Sequence, residues 1–146
     1  MYTYEELKGF VDHCGRCRLC QTRNHPVMGK GNLQGKILFI AEAPGNRDPY
    51  PDEQEACIPY LKYETLLLRP KIMVCLGRIA AQRIIKPDYR ITREHGVFIE
   101  RKNTWLTAVY HPSAALRDET KLPQMQEDFQ KIRKKWEEIT GFPENL

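Results

Sequence analysis

Lys36-Ile37-Leu38-Phe39-Ile40-Ala41-Glu42-Ala43-Pro44-Gly45 is the stretch that decides the fold. From Lys36 to Ala41 it is a near-continuous apolar run, the pattern of a strand buried on both faces. Glu42-Ala43-Pro44-Gly45 then breaks regular structure. A second buried strand follows at Lys71–Leu76, closed by Gly77 and a short helix through Ile85. Val97–Glu100 and Trp105–Val109 read as two more strands, the latter ending at Tyr110-His111-Pro112-Ser113. Helices fill the intervals. Residues 3–13 open with Thr3 and Glu6 at capping-box spacing, and Tyr4, Leu7, Phe10 and Val11 share one face. A second helix is expected from Asp52, with Glu55 three residues on, to about Arg69, kinked at Pro59 by its missing backbone donor. In the last, Leu122, Met125, Phe129, Ile132, Trp136 and Ile139 fall three and four apart and form one apolar stripe. Lys131, Arg133, Lys134 and Lys135 mostly flank it as a solvated face. Alternating strands and helices predict an α/β layered domain with a largely parallel sheet.

The 146 residues carry 23 Lys+Arg against 19 Asp+Glu, a formal net charge of +4, and are 41% hydrophobic. That length fits one domain, 1–146, which needs no disulfide or metal in order to fold. The composition excludes disordered, collagen-like and coiled-coil chains. No apolar run approaches the roughly 18 residues of a membrane span, and Met1–Glu6 lacks the regions of a secretion signal. A cytoplasmic protein without a membrane partner is expected. The charge permits nucleic acid as a partner without demanding it. Of five cysteines, three fall in Cys14-Gly15-Arg16-Cys17-Arg18-Leu19-Cys20. In a reducing compartment such spacing points to metal or cluster ligation rather than to disulfides.

Ligands of open α/β sheets bind beyond the carboxyl ends of the strands. Glu42-Ala43-Pro44-Gly45 follows the first strand and His111-Pro112-Ser113 the fourth. If those strands lie side by side, a carboxylate and an imidazole converge on one pocket. The Pro and Gly residues there force turns that aim backbone donors into it.

These pieces form an ordered series: Cys14-x-x-Cys17-x-Leu19-x-x-x-Arg23, Val27-x-Gly29-x-Gly31-Asn32, Ile40-x-Glu42-Ala43-Pro44-Gly45 and Asn46-Arg47-x-Pro49. Glu55-Ala56-Cys57-Ile58-Pro59-Tyr60-Leu61, Arg69-Pro70-Lys71-Ile72-x-Val74-x-Leu76-Gly77, Ile91-Thr92-Arg93-Glu94-x-Gly96 and Tyr110-His111-Pro112-Ser113 complete it. The series resembles the iron–sulfur (family 4) uracil-DNA glycosylases over nearly the whole chain. The resemblance implies a three-layer α/β/α fold with a central, mostly parallel sheet. It also implies hydrolysis of the bond between uracil and deoxyribose in single- or double-stranded DNA, the start of base-excision repair, by a monomer. Carried over by motif, Glu42 and His111 are the catalytic pair. His111 donates to a uracil carbonyl oxygen, and Glu42 with Ala43, Pro44 and Gly45 lines the sugar side. The loop from His111 to Arg117, with Pro112 and Ser113, matches the family's minor-groove wedge. Leu116 would insert and Arg117 would meet a phosphate. A 4Fe-4S cluster is implied, with Cys14, Cys17 and Cys57 as matching ligands, and Cys75 is a buried, inert thiol.

The family also has a long segment between the motifs fused here at residues 45/46. It carries a Pro-Phe-Val-Gly motif whose aromatic stacks on uracil, a base-reading asparagine, and a Lys-Cys-Arg-Pro-Pro motif with a cluster ligand. An apparent internal deletion therefore falls at 45/46: the segment belongs to the molecule but not to this sequence, is truly deleted, or has been engineered out. A sheet lacking an inner strand would leave its neighbours unpaired or force them together. Ala41 stands where the family usually has Gly. The cluster then recruits Cys20, takes a non-protein ligand, or fails to assemble. Two alternatives stand beside the enzyme: a catalytically impaired DNA- or cluster-binding remnant of the fold, and a small zinc site of Cys14, Cys17 and Cys20 with His13 or His25.

Overall fold

The computed structural model describes residues 1–44 and 47–141. The chain divides into two compact units, Met1–Lys36 with Ala43–Pro70, and Ile37–Glu42 with Lys71–Leu146.

In the first unit, α1 (Tyr4–Asp12) begins where the Thr3 hydroxyl accepts the Glu6 N–H at 3.2 Å. Leu7 is its buried residue, and Phe10, predicted on the same face, is 47% exposed. A 3-10 turn, Arg18–Gln21, follows the first two cysteines. The long helix α2 (Pro51–Leu68) runs through Pro59 without a break in its assignment. It starts one residue ahead of Asp52. Pro51 takes the first helical position, where its missing N–H costs nothing. Glu53, not Glu55, reaches back to the Tyr50 N–H at 2.8 Å. The same buried carboxylate takes both Arg47 guanidinium nitrogens at 2.8 Å. Tyr4 ties α1 to α2 by donating to Glu64 Oε1 at 3.3 Å.

The second unit is built on a sheet of β1 (Ile37–Ile40), β2 (Ile72–Leu76), β3 (Ile99–Arg101) and β4 (Thr104–Val109), in the order β1-β2-β4-β3. The β1–β2 and β2–β4 pairs are parallel, and β3 returns antiparallel to β4. That return is a two-residue turn, Lys102-Asn103, with both φ angles positive (52° and 65°). Such a turn matches the twist of the strands it joins. The helices are α3 (Arg78–Ile84), α4 (Ile91–Glu94), α5 (Pro112–Arg117) and α6 (Leu122–Thr140), with a 3-10 turn at Glu119–Lys121.

Alternation along β2 and β4 builds two cores. Ile72, Val74 and Val109 meet Ile132, Trp136 and Ile139 of α6 on one face. Cys75, Leu106 and Ala108 meet Ala80 and Ala81 of α3, with Ile85 and Tyr89, on the other. Helix, sheet and helix make three layers, so the unit is α/β as expected.

Two expectations change. β1 is not buried on both faces: it pairs only with β2, so it lies at the edge, and Phe39 is 47% exposed. Phe39 instead stacks on Phe129 of α6 at 6.2 Å, which removes Phe129 from the buried stripe. Asp128 is buried beside it. β1, β2 and β4 are directly paired, so none of these strands is left without a sheet neighbour. No helix among the described residues is long and apolar enough to cross a membrane.

Candidate active site

Glu42 and His111 lie at the same end of the sheet. Ile40 pairs with Cys75 and Cys75 with Ala108, so the carboxyl ends of β1, β2 and β4 come level. Glu42, Gly77 and Tyr110 are each two residues past that level. β1 and β4 are not side by side, as the pocket reading required, because β2 lies between them. Two strand spacings place them about 10 Å apart. The intervening chain carries Gly77, at φ 93° and ψ 172°, a region open essentially to glycine alone. A Cβ there would stand 3.2 Å from His111 Cβ. The carboxylate and the imidazole therefore flank a strip of bare backbone.

Glu42 is half-buried, and its Oε2 is buried without a hydrogen-bond partner among the described residues. An unpartnered carboxylate oxygen is costly to bury. The Ala43–Pro44 peptide bond that follows is cis. Gly45 and the 45/46 junction lie outside the described residues.

His111 caps α5, where Pro112 supplies the first helical position. Its Nδ1 accepts the Ser113 N–H at 3.1 Å, and Ser113 Oγ lies 2.8 Å from the same nitrogen. A backbone donor cannot face a second N–H. The neutral ring thus carries its proton on Nε2, an assignment that follows from the hydrogen bond. Arg117 donates to Ser113 Oγ at 3.3 Å. The predicted loop from His111 to Arg117 is a helix, because Pro112 and the histidine cap start one. On it Leu116 is 87% exposed, an apolar side chain held out by a short rigid element.

The cysteines belong to the first unit. Cys57, on α2, is an exposed residue, yet desolvation of its thiol and then the charges of Cys17 and Cys14 push its pKa up. Cys57 therefore feels both of the other two thiols. Desolvation also pushes Cys14 up, but hydrogen bonds from the Tyr60 hydroxyl and the Arg16 N–H, with the charges of Arg23 and Arg16, outweigh it. The net shift is downward. Cys20 is exposed on the 3-10 turn. As arranged, Cys14, Cys17 and Cys57 do not form a metal-ligand group among the described residues, and the set does not complete four-cysteine ligation. Among the described residues no group of three or more His, Cys, Asp or Glu side chains is arranged to hold a metal ion, which bears on the cluster and the zinc alternative alike. His13 Nδ1 lies 3.0 Å from Gly9 O of its own helix. Cys75 is fully buried in the sheet, and burial pushes its thiol up to about 12.

One cluster escaped the sequence reading. Asp128 of α6 is buried and bonded to His95, beside the end of β4. Its signal was its spacing: Asp128 falls three residues after Met125 and four before Ile132, on the buried stripe of α6.

Comparison with known proteins agrees with this architecture. Three similar proteins are type-4 uracil-DNA glycosylases. That of Archaeoglobus fulgidus is 28% identical over 193 aligned positions, covering 97% of this chain and 95% of that protein. That of Sulfurisphaera tokodaii is 28% identical over 186 positions (91% and 84%), and that of Thermotoga maritima 27% identical over 172 (81% and 88%). An alignment of 193 positions to a chain of 146 residues leaves at least 47 positions opposite gaps in this chain. The sequence model of the Uracil DNA glycosylase superfamily matches residues 46–138, well over half the chain, and the protein belongs to that superfamily.

Proposed function

We propose that the chain excises uracil from DNA by hydrolysing the N-glycosidic bond, the first step of base-excision repair. One observation carries the reading within the superfamily: a carboxylate oxygen unpartnered among the described residues and a histidine with its Nε2 proton free flank bare backbone at one end of the sheet. The nucleotide is flipped out of the stack, at a cost of a few kcal/mol that is smallest for single-stranded DNA. As the bond breaks, its electron pair stays on the uracil nitrogen and negative charge spreads to the carbonyl oxygens. His111 Nε2–H donates to one of them, an electrostatic role that no proton transfer need complete. The sugar becomes electron-poor. Glu42 faces that side, orients a water toward C1′ and takes its proton as the new C–O bond forms. The resemblance assigns Ala43 and Pro44 to the same motif as Glu42. Pro112 and Ser113 hold the DNA-facing turn, where Leu116 fills the space the base vacates and Arg117 meets a phosphate.

The test is a uracil-containing single-stranded oligonucleotide incubated with protein and then cleaved at abasic sites with alkali. Wild-type protein should yield cleaved strands. His111→Ala should lower the rate by about 100- to 1000-fold, the usual loss for one such donor, with its melting temperature preserved. Wild-type rates in that variant would remove His111 from the chemistry.

For the cluster, Cys14, Cys17 and Cys57 are the thiolates we assign, with the fourth ligand from Cys20 or from outside the protein. Held by Cys57 on α2 and by Cys14 and Cys17, such a group would brace that helix against the N-terminal segment. Iron and acid-labile sulfide in brown, purified protein support it; zinc without colour overturns it. A second reading, a remnant that binds DNA without excising uracil, is favoured by the 47 or more unmatched positions alone. DNA binding with no alkali-labile product would decide for it.

A further inference from the structure

Asp128 is 1% exposed, yet it is a carboxylate. Burying such a group costs several kcal/mol unless it is paired and hydrogen-bonded. Its Oδ2 lies 2.6 Å from His95 Nδ1, a short charge-assisted bond. Its Oδ1 is buried with no hydrogen-bond partner, and Lys131 Nζ stands 3.9 Å away. The fold keeps a half-satisfied charge where an apolar side chain of the same volume would be less costly.

What surrounds the pair points toward the site. Gly96 follows His95 at φ 76°, and any Cβ there would overlap Asp128 Oδ1. The Gly96 N–H donates to Ala108 O at 2.8 Å, in the last turn of β4 before the site. The His95 ring lies 4.9 Å from the ring of Tyr110, a buried residue directly preceding His111. Lys121 Nζ is 5.0 Å from that same ring. On the other side, His111 Cβ already sits close to Gly77. His111 is thus crowded on the Gly77 side and joined through Tyr110 to the His95 ring on the other.

We propose that Asp128 and His95 are positioning residues for His111: the buried carboxylate fixes the His95 ring, the ring seats Tyr110, and Tyr110 sets the imidazole facing the site. The inference rests on the reading of His111 as the donor to uracil, and it assigns neither Asp128 nor His95 a contact with substrate.

The experiment has a kinetic arm and a spectroscopic arm. In the kinetic arm, His95→Ala lowers kcat for the uracil oligonucleotide at least tenfold and changes KM less than twofold. His95→Asn, whose amide nitrogen can take the place of Nδ1 toward Asp128, recovers part of the loss. Made in the His111→Ala background, His95→Ala has no further effect, because positioning an absent ring is worth nothing. Losses that multiply across the two backgrounds would overturn the proposal, since a general structural defect does not depend on His111. In the spectroscopic arm, long-range proton–nitrogen spectra of the histidine rings are recorded on wild type, His95→Asn and Asp128→Asn. Wild-type His111 shows one Nε2–H tautomer, and Asp128→Asn shifts or splits its signals. Unchanged His111 signals in folded Asp128→Asn would overturn the proposal. This arm needs no turnover: perturbed signals in a chain that excises no uracil would sustain the positioning role and discard the glycosylase reading.

Discussion

Gly77→Ala is the substitution that most directly tests the geometry of the site. Two penalties are expected. At φ 93° and ψ 172° the backbone lies in a region that costs a side-chain-bearing residue of order 1–3 kcal/mol. The new Cβ would also stand 3.2 Å from His111 Cβ, so one of them must give by a few tenths of an ångström. Crowding of that kind adds about 1 kcal/mol. The sum, roughly 2–4 kcal/mol, lowers the melting temperature by about 5–15 °C in a domain of this size. Against a typical stability of 5–15 kcal/mol it still leaves the protein folded at 20 °C. Unfolding therefore cannot explain a large fall in rate at that temperature. Since complete loss of the His111 donor is worth about 100- to 1000-fold, its displacement should lower kcat by about 10- to 100-fold. Excision from a uracil oligonucleotide at 20 °C, beside a circular-dichroism melt, measures both. A reduced melting temperature with an unchanged kcat would refute the link between Gly77 and His111. An unchanged melting temperature would refute the strain itself.

Two further outcomes follow from other parts of the chain. Arg47 holds Glu53 down at about 2, so this carboxylate contributes stability above its unfolded-state pKa and loses that contribution as pH falls through about 2. Arg47→Ala should move the Glu53 titration, followed by carboxyl carbon resonances, up toward the ordinary carboxylate range, and should weaken α2 at pH 7 but not at pH 1.5; an unmoved titration would assign the shift elsewhere. Leu116 is 87% exposed, so Leu116→Ala should leave the melting temperature within about 1 °C while lowering excision from duplex more than from single-stranded DNA. Equal losses on both substrates would end its role as an inserting side chain.

The strands were legible because β2 and β4 are what a continuous apolar run predicts: central, buried and parallel. β1 read the same way and is an edge, because an apolar run does not say how many neighbours a strand has. Phe39 finds its cover on Phe129 rather than in a second sheet neighbour. α2 starts near Asp52 as expected, at Pro51, but the residue that reaches back to its first turn is Glu53 rather than Glu55, because Arg47 pairs with Glu53. Among the site residues, Glu42 and His111 were visible as polar residues ending apolar strands. The tautomer of His111 was not, since it depends on where the Ser113 N–H points after α5 forms. Asp128 shows its burial in its spacing on α6, while its neighbours His95 and Gly96 lie more than thirty residues away in sequence and are not read from it.

The unmatched positions bear differently on chemistry and on recognition. At least 47 positions of the Archaeoglobus fulgidus alignment face gaps here, yet the sheet is continuous from β1 to β3. The groups proposed to stabilise the leaving base and the sugar are thus carried by strands that pair with one another as the chain stands. The parts that resemblance assigns to the absent segment, a stacking aromatic and a base-reading amide, act on the base. Stacking contributes roughly 1–3 kcal/mol, and an amide that pairs with the base edge is what rejects the wrong one. Shortening should therefore appear as weakened binding, with KM raised about 10- to 100-fold relative to the longer relatives, and as poor discrimination between uracil and thymine. The ratio of wild-type to His111→Ala rates on uracil should remain large. A chain that kept full discrimination at low KM would show that base recognition comes from residues already present, and would make the absent segment irrelevant to the pocket.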